Sequence, residues 1–174
     1  MFSIPFLKTQ LASVNARAEL HGKEKKPAFD LKLIAAMPND VLFDFHPLLR
    51  TMLYKPAEQA DQVDLVDQAD PEALTALRLP KLGKLKWEFE AEGYSLRIAY
   101  GIGGKSDINL SDCKVHKVSF VCQEGGTVLV ECTVIAHPET AIVGRLCEMI
   151  QQTVEMELTP PEPETLGQLF GEAA

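Results

Sequence analysis

No apolar run in this 174-residue chain is long enough to cross a bilayer as a helix. The opening residues, Met1 to Lys8, lack both a basic start and a long apolar stretch, so no signal peptide is expected. Cytoplasmic residence, without membrane association, is the resulting expectation. Cysteine is scarce, at four residues, and no two stand in CxxC spacing. Neither a zinc ribbon nor a redox pair is therefore expected, and Cys113, Cys122, Cys132 and Cys147 read as small apolar residues. Only Cys113-x-x-His116 brings two metal-ligating types close, and on a strand residues three apart face opposite ways. Asp61, Asp64, Asp67 and Asp70 recur every third residue, which is not a calcium-loop spacing. There is no G-x-S-x-G and no internal repeat. No metal ion, cofactor or catalytic residue is expected, and the chain does not read as an enzyme.

Basic charge is also in short supply. Lys and Arg number 17 against 25 Asp and Glu, a net charge of −8. Residues 1–106 balance at 14 acidic and 14 basic, so the excess lies in residues 107–174, with 11 acidic and 3 basic. Non-specific nucleic-acid binding draws its affinity from Lys and Arg displacing counterions, and the global charge opposes it.

What is present is ordinary globular material: 46% apolar and 24% charged residues. That is enough for one domain, 1–160, with 161–174 as a C-terminal tail. Alternation over 11–20 and 28–36 predicts two strands joined by the charged loop 21–27. Pro38-Asn39-Asp40 predicts a helix start with Asn39 or Asp40 as N-cap, and the spacing of Val41, Leu42, Phe45, Leu48, Leu49, Met52 and Leu53 extends that helix with a bend near Pro47. Residues 56–72 are acidic and predict a long loop or surface helix. A short helix from Pro71 would turn Leu74 and Leu77 inward.

Two hairpins follow. Leu85, Trp87, Phe89 and Ala91 alternate with charged residues, and after Glu92-Gly93 so do Tyr94, Leu96, Ile98 and Tyr100. A two-residue turn at Glu92-Gly93 would pair these sets face to face and put Glu88 opposite Arg97 and Lys84 opposite Gly101. The second hairpin joins Val118, Phe120 and Cys122 to Val128, Val130 and Cys132. Matching those faces needs a three-residue loop, Glu124-Gly125-Gly126, with Gly126 left-handed. Pro138-Glu139 opens a helix with Ile142, Val143, Leu146, Met149 and Ile150 as its stripe, and Val154, Met156 and Leu158 form a last strand. The fold class is α+β: a mostly antiparallel, twisted sheet of about six to eight strands, barrel- or sandwich-like, with two main helices.

One stretch imitates a catalytic motif. Residues 99–106, Ala-Tyr-Gly-Ile-Gly-Gly-Lys-Ser, fit [AG]-x-x-x-x-G-K-[ST], which would make Gly104, Lys105 and Ser106 nucleotide-binding residues. A phosphate loop leaves a buried parallel strand and enters a helix, whose N-terminus meets the phosphates. Here an antiparallel hairpin precedes the loop and a strand-like alternation follows it, so a glycine-rich strand connection is expected. By elimination the candidate binding surface is basic: Lys23, Lys25 and Lys26 in the first loop, with Lys81, Lys84, Lys86, Arg97 and Lys105 around the 84–102 hairpin.

Several stretches resemble a family of uncharacterised proteins of tailed phages and prophages. They are Val14 to Gly22, Pro27 to Lys32, Leu77 to Trp87, Gly104 to Ile108 and Gly125 to Val128. The resemblance spans nearly the whole chain and carries no residue role. It implies a small accessory protein of the host cytoplasm that binds a protein of DNA recombination, replication or host defence. Single-stranded nucleic acid at the basic surface is the alternative, and a nucleotide-binding enzyme using Gly101 to Ser106 the more distant one.

Overall fold

The computed structural model describes residues 1–21, 24–57 and 73–162, and the side chains of Leu20, His21, Glu24 and Lys25 lie outside that description. Most of the expected tail and most of the 56–72 segment fall outside the described residues, as does Lys23. In chain order the strands are β1 (Ile4–His21), β2 (Glu24–Pro38), β3 (Tyr54–Pro56), β4 (Leu74–Leu77), β5 (Lys84–Ile98), β6 (Ile108–Cys122), β7 (Thr127–Ala136) and β8 (Thr153–Thr159). Two short α-helices join them, α1 (Leu49–Leu53) and α2 (Thr140–Glu148). Six strands close an antiparallel barrel in the order β1-β2-β7-β6-β5-β8, and β3 pairs with β4 as a separate ribbon. Strands β5, β6 and β7 are consecutive neighbours and β8 returns beside β5, a Greek-key arrangement. The protein is α+β and dominated by its antiparallel sheet.

Alternation decides what fills the barrel. Leu31, Leu33 and Ala35 of β2, Val115, Val118 and Phe120 of β6, and Val128, Val130, Cys132 and Val134 of β7 are all buried. The first hairpin forms as expected, with Val14 opposite Leu31 and Ala16 opposite Phe29, although both strands run further than the pattern suggests. The second has the expected three-residue loop: Phe120 faces Val130, Cys122 faces Val128, and Gly126 has φ +81°. Leu146 and Met149 of the α2 region are buried and Ile142 and Val143 half-buried, while Ile150 is exposed.

The 84–102 hairpin does not form. Residues 84–98 are one continuous strand paired along β6, from Lys84 opposite Val121 to Ile98 opposite Ile108. The reason is Gly93, at φ +79°. Between the pairs Ala91–Val115 and Tyr94–Cys113, β5 spends one residue more than β6, which is a β-bulge. This bulge shifts the inward phase by one residue at Gly93. Both apolar sets therefore face the core without any reversal of the chain, and periodicity alone does not separate a bulge from a turn. Arg97 consequently lies far from Glu88 and pairs instead with Asp107.

The expected 39–53 helix is divided. A 3-10 segment, Asn39–Asp44, gives way at Phe45 to Leu48 to the five residues of α1, the interruption falling at Pro47. Asn39 is not an N-cap: its amide donates to the Leu74 carbonyl at 2.6 Å and accepts from Arg50 Nε at 2.9 Å. The short helix from Pro71 is likewise replaced. Leu74 and Leu77 lie on β4, held by β3 and by the Gly125 N–H donating to the Thr75 carbonyl at 3.0 Å. Together these segments cap one mouth of the barrel. Phe45 enters it, with ring centroids 4.8 Å from Phe120, 5.1 Å from Phe2 and 5.5 Å from Phe89. Tyr54, fully buried, donates its hydroxyl to the Thr127 carbonyl at 2.8 Å and so ties the cap to the β6–β7 hairpin.

Candidate functional site

The glycine-rich loop connects β5 to its antiparallel neighbour β6. Three glycines, 101, 103 and 104, have positive φ, and only one turn of 3-10 helix, Gly104–Ser106, precedes β6. The Ser106 hydroxyl, which a phosphate loop would offer to a metal ion, is engaged with the Tyr100 carbonyl at 2.6 Å and the Gly103 carbonyl at 2.9 Å. The Asp107 carboxylate accepts from Arg97 Nε at 3.0 Å and Nη2 at 2.8 Å, and from the Tyr100 N–H at 3.3 Å. Arg97 first, then these backbone donors, hold its carboxyl below the ordinary carboxylate range against the opposing effect of burial. A buried anion at the loop's base tightens the strand connection and disfavours a phosphate beside it. Lys105 is exposed, and Ile102 at the tip is fully open to solvent.

The expected basic surface does not converge. Lys84 and Arg97 lie at opposite ends of β5, on the order of 40 Å apart along a strand rising about 3.3 Å per residue. Lys105 joins Arg97 at the far end, Lys26 is exposed on β2 in the first hairpin, and Lys81 lies in the turn before β5. The barrel instead assembles a different group. Lys84 and Lys86 of β5 share a groove of about 650 Å³ with Lys32 of β2 and Lys117 of β6, floored by Ser119, Thr133 and Trp87. Within it Glu131 receives Lys84 Nζ at 2.8 Å and Lys32 Nζ at 3.1 Å. Burial opposes the charge on Glu131, but the two lysine hydrogen bonds outweigh it and keep its carboxyl below the usual range. Lys86 and Lys117 have no ion-pair partner among the described residues. Lys32, Lys117 and Glu131 sit at outward positions of strands distant in sequence. Only the strand order reveals that they meet.

A second surface is apolar and belongs to the cap. Leu48 is 58% and Met52 62% exposed at one face of α1, opposite the buried Leu49 and Leu53. Beyond β4, Leu79 and Leu82 are 54% and 45% exposed and line a shallow depression with Arg78, Pro80 and Lys81. Arg78 binds this turn to α1, its Nε donating to the Thr51 carbonyl at 2.8 Å. On the barrel's other side Glu19, Glu92, Asp112, Lys114 and His137 line a polar recess, where His137 Nε2 meets Glu19 at 3.0 Å. No cluster of metal-ligating side chains occurs among the described residues. No helix among them is long and apolar enough to cross a membrane.

Compared with family models, curated proteins and solved structures, the chain matches none.

Proposed function

We propose that this chain is a non-enzymatic accessory protein that acts by binding another protein. On the resemblance to tailed-phage and prophage proteins, that partner belongs to DNA recombination, replication or host defence. The observation that supports the reading is the exposed apolar surface of the cap. Exposed Leu48 and Met52 on α1, and Leu79 and Leu82 in the turn that Arg78 ties to α1, have the composition of a protein-docking site. Affinity capture from extract of phage-infected cells tests it, comparing the native chain with Met52→Glu/Leu82→Glu. A partner retained by the native chain and lost with the variant supports the reading. Capture that recovers nothing, or is indifferent to the substitutions, refutes it.

The lysine groove favours a second reading, a single-stranded nucleic acid whose phosphates meet Lys86 and Lys117. Its measure is fluorescence anisotropy with labelled single-stranded DNA at low and moderate salt. Log affinity should fall with log salt at a slope of about −0.7 per neutralised phosphate, and Lys86→Ala/Lys117→Ala should flatten that slope by one to two such steps. No binding at low salt removes this reading.

A further inference from the structure

Among the described residues β8 does not close the barrel along the whole of β5. β8 pairs with β5 only from Ser95 to Ile98, opposite Thr159 to Met156. Below that, residues 84–94 pair with β6 on one side and with no described residue on the other. An open strand edge of this length is a template for another strand, and proteins usually cover or blunt it. Exposure alternates without a break from Lys84 to Gly93. Leu85, Trp87, Phe89 and Ala91 are only half-buried, although they face the inside of the barrel, whereas Tyr94, Leu96 and Ile98, beyond the point where β8 closes the seam, are fully buried. The extra residue that β5 carries between Trp87 and Glu90 adds twist, but it leaves this alternation intact.

The outward side chains along the edge read Lys84, Lys86, Glu88, Glu90 and Glu92: positive first, negative after. That order is self-complementary when the strand meets its own copy antiparallel. A two-fold axis at Trp87 sets Lys86 of each copy opposite Glu88 of the other, and Lys84 opposite Glu90. On the inner face it sets Leu85 opposite Phe89 and Trp87 opposite Trp87. Other two-fold registers that keep apolar residues on one face fail on charge. Centring on Lys86 opposes two lysines; centring on Glu88 opposes two glutamates; centring on Phe89 brings Glu88 against Glu90. Like charges directly opposite are unfavourable, so the charges select the Trp87 register. Lys84 and Glu90 already have partners within the chain, Glu131 and Lys114, but Lys86 and Glu88 have none among the described residues.

We infer that two copies of this chain associate through the 84–90 edges of β5, as an antiparallel, two-fold symmetric strand pair centred on Trp87. The contact is isologous, as closed dimers require. It continues both sheets, satisfies the open backbone groups and covers the half-exposed Trp87, Phe89 and Leu85. The cap's apolar face is not part of it, so it stands apart from the partner-binding reading.

Charge reversal in a cycle tests the inference. Lys86→Glu replaces both symmetric Lys–Glu contacts by Glu–Glu contacts, and Glu88→Lys replaces them by Lys–Lys contacts. Both residues are exposed on the outer face, and far-ultraviolet circular dichroism confirms that each variant keeps its fold. Sedimentation velocity over a concentration series should show the native chain in monomer–dimer equilibrium. Either single reversal should raise the dissociation constant about tenfold or more, and K86E/E88K should return it to near the native value, because the swapped charges again face their opposites. A native chain that stays monomeric throughout overturns the inference. So does a dimer that tolerates the single reversals, or one that the double reversal fails to restore.

Discussion

Replacing Phe45 with alanine should destabilise the protein by removing the ring that packs into one mouth of the barrel. Phe45 sits where the 39–53 segment breaks, and its ring meets those of Phe2, Phe89, Phe120 and Trp87, the last at 6.4 Å. Removing a core phenylalanine costs about 3–5 kcal/mol through lost transfer energy and the cavity left behind. Phe45 is half-buried and water can reach part of the vacated space, so the lower end applies, about 3 kcal/mol. For a chain of this size each kcal/mol lowers Tm by about 2–4 °C, which gives a fall of about 6–12 °C. The single tryptophan, Trp87, packs on the same ring and supplies a local probe. Thermal unfolding followed by circular dichroism should show the fall, and Trp87 emission in the folded variant should shift to the red. Phe43→Ala is the control. That side chain is 47% exposed and lies under the Arg50 guanidinium, 5.5 Å from its ring centroid, so its loss should cost about 1 kcal/mol. Equal Tm values for the two variants, with Trp87 emission unmoved, would refute the role given to Phe45 as the plug of the barrel mouth.

Three further outcomes follow from particular residues. Gly126→Ala should destabilise by about 1–2 kcal/mol in a denaturant titration, because φ is +81° and the new methyl would lie 3.4 Å from the Asn39 amide; an unchanged midpoint would contradict the left-handed loop. The Asp107 carboxyl, held down chiefly by Arg97, should titrate below the ordinary aspartate range by NMR. Since its folded-state pKa is depressed, its stabilising effect is present above the unfolded aspartate range and is lost as pH falls through the folded value; Arg97→Gln should weaken this acid-limb dependence, and a normal Asp107 titration in the native chain would refute the pairing. Burial pushes the Cys132 thiol up to about 12 and the Cys113 thiol up to about 11, whereas Cys147 is exposed, so at mildly alkaline pH a thiol reagent should label Cys147 rapidly and the other two only on unfolding. Rapid labelling of Cys113 or Cys132 in the native protein would contradict their place inside the barrel.

Where alternation, breakers and turn chemistry agree, sequence fixes local structure. Val118 to Cys122 and Val128 to Cys132 admit one face-matched pairing, and the three-residue glycine loop follows from it. The first hairpin, β8 and the buried Leu146 and Met149 follow from periodicity in the same way. Glu92-Gly93 is different: a phase shift at a glycine has two solutions, a reversal or a bulge, and both keep every apolar residue inside. Which one wins depends on the partner strand, since β6 can pair the whole of 84–98 only if the chain runs straight on. The candidate surface inherits that decision. Read as a hairpin, residues 81–105 gather five basic side chains; read as one strand, they part Lys84 and Lys86 from Arg97 and Lys105. The groove that does form draws Lys32 and Lys117 from strands far apart in sequence, and no local pattern encodes their meeting.

By itself, then, the sequence determined the class of fold, the inward faces of β2, β5, β7 and β8, the left-handed loop at Gly126 and the glycine-rich strand connection at Gly101 to Ser106. These rest on interactions between residues close along the chain, or on a side-chain period that any register must respect. Tertiary structure alone decided that β5 is continuous, that Phe45 plugs one mouth of the barrel, that four lysines share a groove and that residues 84–94 of β5 pair on one side only among the described residues. Each depends on which strands become neighbours, and burial of the whole core chooses among pairings that local periodicity leaves equal.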